Sequence, residues 1–282
     1  MPLLHMNGTS LFYDIHGSGT PLVLVHSPGF SHEMFFPQVQ DFCKRGYRVI
    51  LVDLRGNGRS GKLNAPIDDI VHAQCLDLKM LLDHLSIPRA VFAGVADGGV
   101  LVQQFAMSFP ERVSAIVLAD TDSKQRSSGW LGKLLLGMRA ATWLTYYLPG
   151  EMFLRSLKVT YYRWDIAYGF LRNGMLRKRP TEWIKQRLAA SRIRRYERLS
   201  RIRVPALCVV GDFSPEAIKQ MRRTAGIIPN AEFSVIRDAF VPSNLCQPRV
   251  FNDTVMRFLS AHREAIDHAE HSPPNPYGKI DL

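Results

Sequence analysis

The chain has 282 residues, of which 46% are hydrophobic and 22% charged, enough apolar material for a sizeable core in one or two domains. Its 36 Lys and Arg against 25 Asp and Glu set the formal charge at +11, a sum whose distribution along the chain decides its meaning. The opening MPLLHMNGTS has no basic stretch ahead of an apolar core, and no apolar run reaches the length of a membrane helix, so neither a secretory signal nor a span is expected.

The first predicted element is a hairpin, residues 3–6 and 10–16 flanking the turn pair Asn7-Gly8. PLVLV at 21–25 is apolar without alternation, as a strand buried on both faces should be. A second such run, 47–52, ends at Asp53 and the turn-rich RGNGRSG. Leu78, Leu81, Leu82 and Leu85 recur at helical spacing and predict a helix over 69–85. RAVFAG then makes a strand ending at Gly94, and after ADGG the run VLVQQFAMSFP predicts a helix stopped by Pro110. Residues 113–119, 206–210 and 232–236 are further strands, with helices expected over 216–225 and 249–268. This alternation predicts an α/β fold: a mostly parallel central sheet with helices on both faces.

Residues 121–200 interrupt the alternation. The block carries 17 Lys or Arg against 5 Asp or Glu, so the remainder of the chain is close to neutral. All four Trp fall here (Trp130, Trp143, Trp164 and Trp183), with Tyr146 and Tyr147 among many other aromatics. The expected organisation is therefore a core of residues 1–120 and 201–268, a basic, aromatic-rich helical lid at 121–200, and an irregular Pro-rich tail at 269–282. Cys43, Cys75, Cys208 and Cys246 are widely spaced without a CxxC pair, which predicts reduced thiols, a cytoplasmic location and no metal site.

Six short words stand in order along the strands and helices: HSPGFS at 26–31, DLRGNGRS at 53–60, GVADGG at 94–99, PERV at 110–113, VVGDFSP at 209–215 and NLCQP at 244–248. Together with the inserted lid they resemble the α/β-hydrolase fold from about residue 9 to about residue 265. The resemblance implies a nucleophile at the middle of G-x-Nuc-x-G, an acid after the next core strand, and a His near the last helix. Here the nucleophile seat is Ala96 and the acid seat is Ser214, with Asp212 two residues earlier. The His seat is Val241, after Phe240. The oxyanion word H-G-x-G places Pro28 where a backbone donor is needed, and proline has no N–H. Only the N–H of Asp97 remains, and one lost donor costs about 3 kcal/mol in acyl transfer. An engineered Ser-to-Ala change would alter one seat, so four departures speak for natural divergence.

These seats lead to the expectation of a non-hydrolytic, cofactor-independent enzyme that is not an esterase. It would isomerise, epimerise, cyclise, eliminate from or decarboxylate a carbonyl-containing natural-product intermediate. The resemblance makes Asp97 and Asp120 its acid–base candidates, Ser27, Pro28, Phe240 and Asn244 its oxyanion loop and pocket mouth, and Trp130, Trp143, Tyr146, Tyr147, Trp164 and Trp183 its ligand mould. The alternative is an inactive ligand-binding or scaffold protein, whose pocket is either retained with no ionisable side chain reaching the ligand or filled by Phe213, Phe240 and Val241. Each residue also has a plainer role: Asp97 as a charge at a helix start, Asp120 as a helix cap, Ser27, Ser214 and Asn244 as turn formers, His26 as a loop-ordering core histidine, Asp53 with Arg55 as a loop-stabilising pair, and the aromatics as packing.

The expected partner is a small molecule, apolar with an acidic group, matched to a lid both aromatic and basic. No nucleic-acid module accompanies the basic residues; they form a steering field for an anion or a contact for acidic phospholipid or a carrier protein. Gly56, Gly58 and Gly61 meet a G-x-G-x-x-G spacing, but KLNAPID after them does not start a helix, so no dinucleotide site is expected.

Overall fold

The computed structural model describes residues 2–6, 8–121, 150–177, 179–193 and 196–271. Eight strands form one sheet: β1 (Leu3–Met6), β2 (Thr9–His16), β3 (Thr20–Val25), β4 (Tyr47–Asp53), β5 (Ala90–Val95), β6 (Val113–Ala119), β7 (Ala206–Gly211) and β8 (Ala231–Ile236). Their spatial order is β1-β2-β4-β3-β5-β6-β7-β8. The first two pairings, β1 with β2 and β2 with β4, are antiparallel, and the rest are parallel. The hairpin closes where expected, Met6 facing Thr9 across a two-residue turn in which Gly8 takes φ +72°.

The unbroken apolar character of the inner strands follows from burial on both faces. Val23, Ile50, Phe92 and Ile116 point to one side, against α2 (Ile70–His84), α3 (Asp97–Ser108) and α7 (Pro215–Ile227). Leu22, Leu51, Val91 and Val117 point to the other, against α1 (Phe36–Lys44) and α8 (Pro248–Ala261). Successive residues alternate faces, and both faces are core.

Between β6 and β7 the described residues form α4 (Gly150–Thr160), α5 (Asp165–Arg177), α6 (Pro180–Arg192) and a 3₁₀ turn, Tyr196–Arg201. Trp130, Trp143, Tyr146 and Tyr147 lie outside the described residues. The single helix expected over 249–268 is divided at His262, whose N–H closes α8 on the Phe258 carbonyl before α9 (Arg263–His271) begins. The change of direction returns Ile266 to the core, where it is almost wholly buried. Among the described residues no helix is long and apolar enough to cross a membrane.

Candidate active site

At the carboxyl end of β5 the chain turns sharply into α3 through Ala96, which sits at φ +51°, ψ −119°. A side chain other than glycine is strained there by about 1–3 kcal/mol. The turn is locked by the Ala96 N–H on the Ala119 carbonyl (2.8 Å) and the Gly99 N–H on the Ala96 carbonyl (3.0 Å). Two glycines let α3 press against the sheet. A Cβ on Gly98 would lie 2.3 Å from the Val25 oxygen, and one on Gly99 would lie 1.9 Å from Thr121 Oγ1. That packing is why the helix starts at Asp97, three residues ahead of the apolar run that predicts it, despite two poor helix formers in its first turn.

Asp97 is therefore the first residue of α3, with its N–H at the helix end that favours negative charge. Its Oδ2 is buried and, among the described residues, accepts no hydrogen bond. Arg187 of α6 places its Nη1 3.7 Å from that oxygen. The Arg187 guanidinium lies 5.3 Å from the centre of the Trp183 ring. Trp183 in turn abuts the loop after β3 so closely that a Cβ on Gly29 would meet its Cδ1 at 2.5 Å.

Buried polar contacts hold α6 in this position. Gln186 Oε1 accepts from Asn57 Nδ2 (2.8 Å) and Gln74 Nε2 (2.9 Å), and Glu182 Oε1 accepts from the Leu63 N–H (2.9 Å).

The loop after β3 carries Ser27 and Pro28, both buried. Pro28 has no N–H, and the next N–H, of Gly29, is given to Asn57 Oδ1 at 2.8 Å. The start of α3 is thus the oxyanion donor that this arrangement retains. His26 orders the loop: its Nδ1 donates to the Ser27 carbonyl, and its Nε2 accepts the Leu54 N–H at 3.0 Å. Asp53 pairs with His32, accepting its N–H (2.7 Å) and its Nδ1 (2.9 Å) as well as the Arg59 N–H (2.8 Å). The Asp53–Arg55 pair read from the sequence is not formed. Arg55 turns into the core and meets Asp77 instead, because a guanidinium in that interior needs a buried carboxylate, and the Asp53 oxygens are already engaged.

Burial pushes the His26 pKa below its ordinary value of 6.5, outweighing the opposing pull of Asp53. Below pH 6.5 the unfolded chain takes up a proton that the folded chain refuses. Stability is therefore full above that pH and falls as pH drops toward the folded-state pKa. His26→Asn removes this component, so its plot of unfolding free energy between pH 7 and pH 5, from urea titrations, should slope less than that of the parent. Equal slopes would assign the acid sensitivity elsewhere.

The residues that the resemblance assigns to the helper seats make structural contacts. Ser214 caps α7, its Oγ accepting the Ala217 N–H at 3.2 Å, and Asp212 Oδ1 accepts the Ala239 N–H at 3.2 Å. The Val241 carbonyl accepts the Tyr161 hydroxyl. Phe240 lies in an aromatic cluster, 5.7 Å from Tyr161 and 6.2 Å from Phe213, with Trp164 5.1 Å beyond Phe213. Asn244 is buried and reaches the Met34 carbonyl (3.3 Å) and Gln38 Oε1 (3.2 Å).

Asp120 gives both oxygens to backbone, accepting from Gly211 (3.0 Å) and Ser243 (2.6 Å). Burial pushes its pKa up against those hydrogen bonds. It ties β6 and β7 to the turn Ser243–Cys246, whereas Asp97 Oδ2 accepts no hydrogen bond among the described residues. A cavity of about 140 Å³ opens nearby between Phe30, His32, Arg59, Phe170 and Arg177; Ala96 and Asp97 do not line it. Arg187 is the site residue that sequence reading missed. As one cation among many in the basic block, it carries no local signal of its reach to the elbow.

Comparison with known proteins adds to this geometry. The family described as the alpha/beta hydrolase fold matches residues 20–142, from β3 through the elbow. The chain has the α/β-hydrolase fold. A 3-oxoadipate enol-lactonase of Acinetobacter baylyi is 27% identical over 276 residues, covering 90% of this chain and 97% of that protein. A protein of Azorhizobium caulinodans named for carbamate hydrolysis is 33% identical over 120 residues, 43% of this chain and 44% of that protein. The solved enol-lactonase of Burkholderia xenovorans LB400 superimposes with a TM-score of 0.76 at 24% identity, over 92% of this chain and all of that one.

These names overturn the expectation of a non-hydrolytic isomerase, cyclase or lyase that is not an esterase: the relatives are named as hydrolases and lactonases. That expectation assumed a covalent route. Hydrolysis needs an electrophilic carbonyl, an oxyanion donor and activated water, and a side-chain nucleophile is one way of supplying the last.

Proposed function

We propose that this protein hydrolyses a small ester or lactone by direct attack of water, with Asp97 as general base. The reading takes Ala96, Ser214 and Val241 to hold the seats of the triad, as the resemblance implies. A strained elbow is kept without a nucleophile, and beside it stands a carboxylate whose buried Oδ2 accepts no hydrogen bond among the described residues; this observation carries the reading. The names of the relatives support it.

In the proposed reaction water attacks the carbonyl carbon as its proton passes to Asp97. The oxyanion forms against the first N–H of α3. Collapse breaks the C–O bond to the leaving oxygen, which takes the proton back from Asp97, giving acid and alcohol. In this reading helices α4, α5 and α6 act as a lid over the sheet core. Trp183 and Trp164 shape its inner side.

The test is a panel of activated short-chain esters, small lactones and carbamates, with Ala96→Trp as the blocked control. The expected result is steady turnover of at least one ester or lactone, lost in Ala96→Trp, with no pre-steady-state burst of alcohol. Turnover of every panel member no faster than in Ala96→Trp would overturn the reading, as would a stoichiometric burst.

A further inference from the structure

Arg187 stands between the elbow and the lid in a way that an ordinary surface ion pair does not require. At 3.7 Å its contact with Asp97 is too long for a hydrogen bond. Its side chain is 40% exposed although it reaches over the buried elbow. Trp183 backs the guanidinium, and α6 is anchored one residue earlier by the contacts of Gln186 with Asn57 and Gln74. The guanidinium is thus held beside the Trp183 ring and Asp97 with its side chain 40% exposed, and a planar guanidinium is the group that takes a carboxylate through two parallel hydrogen bonds.

We propose that Arg187 is a specificity residue that binds a carboxylate of the substrate, so that the favoured substrates are half-esters of dicarboxylic acids or lactones bearing a carboxylate. The proposal rests on the hydrolytic reading above and deepens it. With the substrate carboxylate on the outer edge of the guanidinium and Asp97 on its inner edge, the scissile carbonyl lies a few bonds from the carboxylate, over Ala96. The cation also separates two like charges that would otherwise repel each other as an anionic substrate enters.

Two p-nitrophenyl esters of equal chain length, the hydrogen glutarate and the valerate, test this together with Arg187→Gln. The parent is expected to prefer the glutarate by about 10-fold or more in kcat/KM. Arg187→Gln should lower the glutarate value by about 30-fold, chiefly through KM, and leave the valerate within about 3-fold. Arg187→Lys should restore the glutarate value only in part. Equal losses on both esters would assign Arg187 to holding the lid alone, and the absence of a glutarate preference in the parent would also overturn the proposal.

Calorimetric titration with free glutarate and its diamide separates failure of this proposal from failure of the hydrolytic reading. Glutarate bound by the parent and at least 10-fold more weakly by a folded Arg187→Gln supports the carboxylate site even where no ester is cleaved. Equal binding of acid and diamide, or binding of neither, refutes it.

Discussion

Replacing Asp97 by Asn lowers kcat/KM for ester or lactone hydrolysis by about 100-fold to 10,000-fold, the span general-base catalysis covers. The two side chains have the same shape, so water above the Ala96 methyl loses its proton acceptor while the elbow keeps its backbone. The loss should fall on kcat with KM nearly unchanged, because the base acts on the attacking water and makes no contact with bound substrate in the ground state.

The structural cost of the change is small by comparison. A negative charge at an exposed helix start contributes about 0.3–1 kcal/mol, and a pair such as Asp97–Arg187, with side chains 19% and 40% exposed, sits near the weak end of ion pairs. Circular dichroism and thermal melting should therefore show a folded variant within a few degrees of the parent. Kinetics within 3-fold of the parent would remove Asp97 from the chemistry and leave it a helix-start charge.

The contacts made by Ser214, Val241 and Phe240 predict that a single change at Ala96 will not create a covalent route. Ser214 Oγ caps α7, the Val241 carbonyl accepts from Tyr161, and Phe240 is packed among Tyr161 and Phe213. Asp120, the buried carboxylate nearest in topology to a triad acid, holds two backbone N–H groups and so joins strand ends. A serine placed at position 96 would find no imidazole within the arrangement described, and histidine at 241 would have to displace an aromatic cluster. The departures have become parts of the packing.

Elements whose signal is local were legible in the sequence. PLVLV and VSAIVLA announce strands because both sheet faces are covered, and Asn7-Gly8 announces its turn because positive φ favours those residues. GVADGG announces the elbow because Gly98 and Gly99 alone fit under the Val25 oxygen and Thr121. Long-range pairings were not legible: His32 meets Asp53 across 21 residues, Arg55 meets Asp77 across 22, and Arg187 crosses from the lid to Asp97. Each partner is one of many like residues, and topology selects among them. The functional misreading had a similar source: Ala96 in the G-x-Nuc-x-G word is visible in the letters, whereas the lack of a hydrogen bond to Asp97 Oδ2 among the described residues is a property of the folded site.

Asp77→Ala should destabilise the fold by about 3–5 kcal/mol, the cost of leaving one partner of a buried ion pair alone. Arg55 and Asp77 have side chains only 4% and 1% exposed, and Arg55 Nε and Nη2 meet Oδ2 and Oδ1 in a two-pronged contact of 2.6 and 2.5 Å. Burial pushes the Asp77 pKa up and Arg55 pulls it back, the balance expected where desolvation and pairing nearly cancel. Removing the carboxylate leaves a guanidinium that cannot shed its charge.

The melting temperature should drop by about 10 °C, taking 2–4 °C per kcal/mol for a domain of this class. Removing both members, as Arg55→Met with Asp77→Leu, should cost clearly less than Asp77→Ala alone, since apolar side chains of similar volume avoid the unpaired charge. The pair also has a functional consequence, because Arg55 belongs to the loop in which Asn57 holds Gly29 and receives Gln186 of α6. Activity of Asp77→Ala at temperatures where it remains folded should therefore fall as well, as the seat of Trp183 and Arg187 loosens. A single variant as stable as the parent, or a double variant worse than the single, would show that this contact does not hold the loop.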